Sequence, residues 1–127
     1  MLEELSIIRL ASAMARHASA RHRVIAQNVA NADTPGYAAR DVRKFADYVN
    51  EGFTAKATRV GHLAGRDVAH APQVIADPAA FTSPNGNSVS LDGEMVKAAA
   101  AQGQHAMAQT IYRKMHDFMR LGLSRGR

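Results

Sequence analysis

The stretch AQNVANADTPGY, residues 26–37, decides how the chain is organised. Its proline disfavours the α conformation at Thr34, because the ring of Pro35 crowds the backbone of the residue before it. Pro35 and Gly36 suit the two central positions of a type II turn, whose second position needs the positive φ that glycine adopts easily. A helix that runs into this stretch must therefore end near Asp33.

A long helix is predicted before this turn, from about residue 2 to residue 33. No glycine or proline occurs between Leu2 and Asn31, where good helix formers such as alanine, arginine and leucine are frequent. At the usual rise per residue, such a helix is about 45 Å long. Its apolar residues recur at steps of three and four, with one step doubled, and form one narrow seam: Ile7, Ala11, Met14, Ala18, Ile25 and Ala32.

A second long helix is predicted from about residue 92 to residue 121. Asp92 suits the N-cap position, and Glu94 suits the positively polarised first turn. Apolar or small residues again recur every three or four positions: Val96, Ala100, Gly103, Met107, Ile111, Met115, Phe118 and Leu121. Each seam is narrow, so its natural partner is another long helix, from the same chain or from a second copy.

The segment between the helices, about residues 37–90, has weak periodicity and frequent glycine and proline. Within it we predict a short helix over 42–53 and a short strand over 73–75. The fold class that follows is mostly α, in a single domain of residues 1–127. Two long terminal helices pair as a coiled-coil-like hairpin around an irregular centre.

Composition narrows the function. The chain has 127 residues, a net charge of +5 and no cysteine, which excludes disulfides and thiolate metal sites. Residues 1–5 contain two acids and begin no apolar run, so we expect no cleaved secretory signal peptide. No stretch approaches the roughly 18 apolar residues of a membrane span. The net positive charge is compatible with a negatively charged partner.

Catalytic and metal-binding patterns are missing from the sequence. Six histidines are present, but no two are four residues apart and there is no HExxH motif. No serine lies in a G-x-S-x-G elbow, and no glycine-rich phosphate loop occurs. We therefore expect no enzymatic activity, no metal, no cofactor and no small-molecule substrate.

Arg9, Arg16 and Arg23 are spaced by seven, which places them along one stripe of the first helix. Three interpretations stay open: a face that follows nucleic-acid phosphates, a face that pairs with acids of an adjacent subunit, or a solvated edge. No aromatic residue interleaves with the arginines, which disfavours nucleic acid.

Two motifs carry a resemblance. A helix end and a turn account for Pro35 and Gly36, but they do not require asparagine at both Asn28 and Asn31, or Tyr37 after the turn. Residues 26–37 resemble the signature of flagellar basal-body rod and hook axial proteins. Residues 83–95 are similar to the pattern G-N-x-V-x-L-x-x-E-M that precedes the C-terminal helix of the proximal rod members of that family. Gly93 departs from the family, which usually has an acid there.

The resemblance implies a structural subunit of the rod, which crosses the periplasm and transmits torque between membrane ring and hook. It implies export through the flagellar type III apparatus, and partners among other rod subunits and the ring–rod junction. The motif residues implied to contact neighbours are Asn28, Asn31, Thr34, Pro35, Gly36, Tyr37, Asn87, Val89, Leu91, Glu94 and Met95. Helix packing is expected to use Leu5, Ile7, Met14 and Ile25 against Met107, Ile111, Met115 and Phe118.

Two other functions are compatible with the composition. One is a small basic helical hairpin that binds nucleic acid, which would need a clustered basic face. The other is a small helical adaptor that uses its methionine-bearing helix to bind a groove. Neither explains the two motifs, so we expect no nucleic-acid partner.

Overall fold

The computed structural model of the chain describes residues 2–54 and 71–124. Three helices and two strands follow in the order α1 (Leu2–Ala30), β1 (Arg40–Val42), α2 (Phe45–Thr54), β2 (Val74–Ala76) and α3 (Leu91–Ser124). The prediction of a mostly helical chain with two long terminal helices that pack against each other is confirmed. None of the described helices is long and apolar enough to cross a membrane.

Helix α1 ends three residues before the predicted position. The Asn31 amide still bonds to the carbonyls of Gln27 and Asn28, and the Thr34 amide then bonds to Asn31 at 3.0 Å. The turn closes with the Tyr37 amide on the Thr34 carbonyl. Gly36 has a φ of 73°, as the predicted type II turn requires.

The α1–α3 interface is built from alanine. Ala11 and Ala18 on α1 are 3% and 0% exposed, and Ala101 and Ala108 on α3 are 0% and 1% exposed. Because these side chains are short, the two helices can lie close together, at the small end of usual interaxial distances. The chain thus pairs its two long helices with few large side chains between them.

The predicted packing of the larger residues differs from the structure. Met107 and Phe118 are 60% and 58% exposed, so they do not lie in the interface with α1 of the same chain. Leu5 and Ile7 are also more than one-third exposed. The prediction followed one apolar seam on α3, whereas the residues that face α1 belong to a second seam, displaced by about one residue and made of Ala101 and Ala108.

Helix α1 is covered on two adjacent sides, and not along one narrow seam as predicted. Ala20 and Val24 form a small apolar cluster with Val42 of β1. Beside them, the buried His17 imidazole donates from Nε2 to the Arg43 carbonyl at 2.7 Å, and its ring lies 5.5 Å from that of Phe45. The segment after the turn therefore packs along α1 on the side next to α3.

The two strands pair antiparallel, with Arg40 opposite Ala76 and Val42 opposite Val74. The predicted strand is displaced by one residue, and β1 was not predicted. Strand β1 contains Asp41, whose carboxylate accepts two hydrogen bonds from Arg21 of α1, at 2.9 and 2.8 Å. This bidentate pair holds the small sheet to the first helix.

Helix α3 begins at Leu91, and its N-cap is Ser90. The Ser90 hydroxyl accepts a hydrogen bond from the Gly93 amide at 3.3 Å, and the Glu94 amide bonds to the Ser90 carbonyl. The assignment of Asp92 as N-cap is therefore wrong: Asp92 lies in the first turn, where its charge suits the helix dipole. Serine fulfils the same chemical requirement two positions earlier.

A first prediction concerns Gly93, the third residue of α3. Gly93→Ala should stabilise the chain by about 0.5–1 kcal/mol, since glycine is a poor helix former. Gly93→Glu should add to this, because Ser90 with a glutamate three residues later forms a capping box. An added Cβ would meet Ser90 at 3.4 Å, an ordinary contact.

The measurement is the urea-unfolding midpoint of each variant. Gly103→Ala, in the open interior of the same helix, is the control for helix propensity alone. A Gly93→Glu variant no more stable than Gly93→Ala would rule out the capping box.

A second prediction concerns pH. Burial acts to raise the pKa of Asp41, but hydrogen bonds from Arg21 and the Val42 amide, with the charges of Arg21 and Lys97, bring that pKa below its usual value. A lowered folded-state pKa stabilises the fold above the unfolded pKa of about 3.9, and this stabilisation is lost as pH falls through the folded value. Stability should therefore decrease below about pH 4.

Asp41→Asn should reduce this loss of stability at low pH. At neutral pH it should lower the free energy of unfolding by about 1–3 kcal/mol, because the charge-assisted hydrogen bonds are lost. Urea unfolding between pH 7 and pH 2.5 would measure both effects. Asp47→Asn is the matched control, because its partner Arg43 lies 3.9 Å away at the surface. If the stability of Asp41→Asn fell with pH as steeply as that of the wild type, Asp41 would not be the source of the pH dependence.

Candidate functional site

The two motifs meet at the C-terminal end of α1. We call this contact the motif junction and define it as residues 28–40 together with residues 83–90. The second motif reaches the first from more than fifty residues away in the sequence, as in the bonds from Asn87 to Asn31 and Thr34. Its geometry depends on two asparagines, which act on different parts of the backbone.

Asn28 fastens the chain that follows the turn to the side of α1. Its side chain is 0% exposed, its Nδ2 donates to the Arg40 carbonyl at 2.7 Å, and its Oδ1 accepts from the Arg40 amide at 3.1 Å. The Tyr37 hydroxyl also donates to this oxygen, at 3.4 Å. A carboxamide can pair with both backbone groups of one residue, as a neighbouring strand would, because it carries a donor and an acceptor.

Asn87 caps the end of α1. Its Nδ2 lies within 2.8–2.9 Å of three carbonyl oxygens, those of Asn31, Ala32 and Thr34. The last carbonyls of a helix have no partner within the helix, and buried ones must find a donor elsewhere. The Asn87 Oδ1 accepts the Val89 amide at 2.7 Å, so both ends of this 3%-exposed side chain are used.

The backbones of the two motifs also touch directly. The Gly36 amide donates to the Asn85 carbonyl at 3.1 Å, and the Ser88 amide donates to the Tyr37 carbonyl at 3.0 Å. A Cβ added to Gly86 would lie 3.2 Å from the Gly36 Cα. Gly86 also has a positive φ, of 80°. The close approach and the backbone conformation both favour glycine at this position.

Other residues of the first motif act within the turn. Asn31 Nδ2 donates to the Gln27 carbonyl at 2.8 Å, and its Oδ1 accepts from the Thr34 hydroxyl at 3.2 Å. Thr34, Pro35 and Gly36 are exposed at the surface of the turn. These exposed positions are available to a neighbouring molecule, whereas Asn28 is not.

The remaining residues of the second motif diverge from the junction. Val89 is half-buried, while Leu91 and Met95 are 53% and 71% exposed on α3. Glu94 is 1% exposed and accepts a hydrogen bond from Lys97 at 2.8 Å. The motif therefore combines a buried acid with apolar side chains that point outward.

Lys97 links α3 to the segment after β2. Its ammonium group contacts both Glu94, on the same helix, and Asp77, in the segment after β2. Burial acts to lower the pKa of Lys97, but hydrogen bonds to Asp77 and Glu94 outweigh it and raise that pKa. Sequence reasoning missed Lys97, Asp77, Arg21 and Asp41; only the i, i+3 spacing of Glu94 and Lys97 was a usable signal.

The polar side chains of the motif junction are thus engaged mainly with main-chain groups and with each other. Among the described residues, no group of three histidine, aspartate or glutamate side chains is placed to hold a metal ion. His62 and His70 lie outside the described residues. The arrangement joins the end of α1 to the start of α3, which is a structural task.

A second feature is an uncovered apolar face on α3. We call it the outer stripe: Val96, Ala100, Gly103, Met107, Phe118 and Leu121, all exposed. Val96 and Leu121 are 71% and 67% exposed. The stripe is about 38 Å long, from the helical rise. Contiguous apolar surface of this extent typically marks an interaction site.

A groove of about 300 Å³ lies between the two long helices, away from the motif junction. Its floor is made of alanine, and Tyr112 and Arg113 of α3 border it. The groove and the outer stripe lie on different sides of α3, so the hairpin presents two surfaces to neighbours.

A third prediction tests the cap on α1. Asn87→Asp keeps the shape of the side chain but replaces the donor with a negative oxygen that faces three carbonyls at a negative helix end. We expect a loss of about 3 kcal/mol, and about 2 kcal/mol for Asn87→Ala, which leaves the carbonyls unpaired.

Urea unfolding at neutral pH measures both losses. The matched control is Asn50→Asp, an exposed position on α2, which should change stability by less than about 0.5 kcal/mol. An Asn87→Asp variant as stable as the wild type would show that the cap contributes nothing.

The sequence of the chain is similar to those of known proteins. A family model described as "Flagella basal body rod protein" matches residues 10–37, which comprise most of α1 and the turn through Tyr37. The flagellar basal body rod protein FlgB of Agrobacterium fabrum is 27% identical over 130 residues, which cover 98% of this chain and 97% of that protein. These matches favour a structural role over an adaptor or a nucleic-acid-binding protein. The chain is thus similar to flagellar basal body rod proteins, in α1 and the turn and, more weakly, over nearly its whole length.

Proposed function

We propose that the chain is a structural subunit of the proximal flagellar rod and that its two terminal helices join it to neighbouring subunits. The observation that carries the proposal is the outer stripe of α3. A chain that packs its long helices through alanine, and leaves methionine, phenylalanine and leucine exposed, has its larger apolar side chains free for other molecules.

Burial of the outer stripe in an assembly would be strongly stabilising. Each fully buried methionine, leucine or phenylalanine contributes roughly 1.5–3 kcal/mol relative to the exposed state. Four large side chains of the stripe are more than half exposed: Val96, Met107, Phe118 and Leu121. Helices from adjacent subunits, packed side by side with this seam between them, would form the wall of a tube.

The mechanical role follows from the motif junction. A subunit that transmits torque must keep its two long helices, α1 and α3, in a fixed relative position. Three polar contacts hold the long helices and the small sheet together: the Asn87 cap, the Asn28 pair with Arg40, and the Arg21–Asp41 ion pair. Networks of satisfied buried polar groups favour one rigid arrangement, because each displacement leaves several groups unpaired.

The partners we propose are other rod subunits, the proteins of the membrane ring and rod junction, and the flagellar type III export apparatus. Similarity to flagellar basal body rod proteins supports a location in the flagellar basal body, together with other basal-body components. We propose further that it lies in the part of the rod that crosses the periplasm, and that it is exported without cleavage of a signal peptide. The family is structural, and we propose no catalytic role.

A fourth prediction tests the assignment in the organism from which the chain comes. Deletion of the gene should abolish swimming and the appearance of hook and filament proteins outside the cell. Wild-type chain should restore both. Met107→Glu/Phe118→Glu should not, because two charges would be buried in the assembled wall. Asn31→Ala/Tyr37→Ala should also fail, because it alters the exposed turn and its anchor.

The readouts are swimming in soft agar and electron microscopy of isolated basal bodies. Gln102→Glu/Ala106→Glu adds two acids at exposed positions of α3 outside both the outer stripe and the groove, and should restore motility. Intact rods in the deletion strain would overturn the assignment. Full function of Met107→Glu/Phe118→Glu would overturn the role of the outer stripe.

A further inference from the structure

Three arginines on α1 have no partner among the described residues. Arg9, Arg16 and Arg23 are all exposed, and no described carboxylate lies within ion-pair distance of them. Their spacing of seven residues places them about 10.5 Å apart along the helix. We call these residues the arginine face; it lies on the side of α1 away from the alanine interface with α3.

Small side chains follow the arginine face at the same spacing. Ser12, Ser19 and Ala26 lie three residues after Arg9, Arg16 and Arg23, and therefore beside the arginines on the helix surface. Ser19 and Ala26 are exposed and Ser12 is half-buried. A row of small residues allows a second helix to approach closely, and the arginines then lie along the edge of the contact.

We propose that the arginine face binds an α-helix of another protein that carries acidic residues at every seventh position. Carboxylates at that spacing on a partner helix are also about 10.5 Å apart, so each could pair with one arginine. In coiled coils, charged residues that flank the seam at heptad spacing set the choice and orientation of the partner. The inference deepens the proposed function, on which it rests, by naming the chemistry of one neighbour in the basal body.

A second copy of this chain cannot supply the complementary face. The sequence contains 11 aspartate and glutamate residues, and no two of them are seven positions apart. The partner is therefore a different protein. Its helix, with several acids on one side, would meet a chain whose net charge is +5.

Nucleic acid fits this surface less well. Three arginines in one line would give a weak, salt-sensitive contact with phosphates, and no aromatic side chain lies between them to stack on a base. The row of small side chains beside them suits close packing of a helix backbone.

The test uses the full chain and a labelled synthetic helical peptide with glutamate at four positions, each seven residues apart. Fluorescence anisotropy at low salt should show micromolar binding. A control peptide of the same composition, with its glutamates spread around the helix, should bind at least tenfold more weakly. Arg9→Glu/Arg16→Glu/Arg23→Glu should weaken binding of the first peptide at least tenfold.

Two further variants make the result specific. Lys44→Glu/Lys114→Glu/Arg120→Glu changes the net charge equally at other exposed positions and should change the affinity less than twofold. A peptide with lysine in place of each glutamate should bind the Arg9→Glu/Arg16→Glu/Arg23→Glu chain as tightly as the glutamate peptide binds the wild type. This charge exchange also shows that the variant is folded.

Equal binding of the two glutamate peptides, or equal loss in the two triple variants, would overturn the proposal. Tighter binding of a 20-base-pair DNA duplex than of the glutamate peptide would replace it with a nucleic-acid face. If wild-type chain restores motility in the deletion strain while the peptide does not bind, the rod assignment stands and the arginine face is wrong.

Discussion

The structure depends on one polar contact, the carboxamide of Asn87 against the last carbonyls of α1. The last carbonyl groups of this 29-residue helix have no partners within the helix, and donors from elsewhere in the chain can satisfy them. Asn87 supplies them from the segment that leads into α3. The end of one long helix is thereby joined to the segment that leads into the other, beside the alanine interface between them.

This constraint also explains how the apolar residues are divided. The side chains that pack α1 against α3 are mostly short, as at Ala18 and Ala101. Apart from the buried Val24 and Ile25, most larger apolar side chains of the two helices are exposed or half-buried. A hairpin of this kind has a modest core of its own and much uncovered apolar surface. That distribution suits a subunit whose stability in the assembled rod comes largely from its neighbours.

The same division accounts for what sequence patterns missed. The spacing of Val96, Met107 and Phe118 predicts an apolar seam, and such a seam exists, but it faces outward in the single chain. The residues that face α1 are alanines, which carry little hydrophobic signal and occur on several sides of both helices. Strand β1 was missed because three residues give no periodicity, and the Arg21–Asp41 contact that holds it to α1 joins positions twenty residues apart.

The two long helices and the turn between Thr34 and Tyr37 could be predicted from the residues alone, because helix propensity, proline and glycine act locally. The sequence also marked Asn28 and Asn87 through motifs, without indicating what their side chains bind. The pairing of Asn28 with Arg40, and the capping of α1 by Asn87 from more than fifty residues away, became visible only in the folded chain. Hydrogen bonds between distant segments leave no periodic trace in a sequence, since each depends on where the whole chain places a single donor.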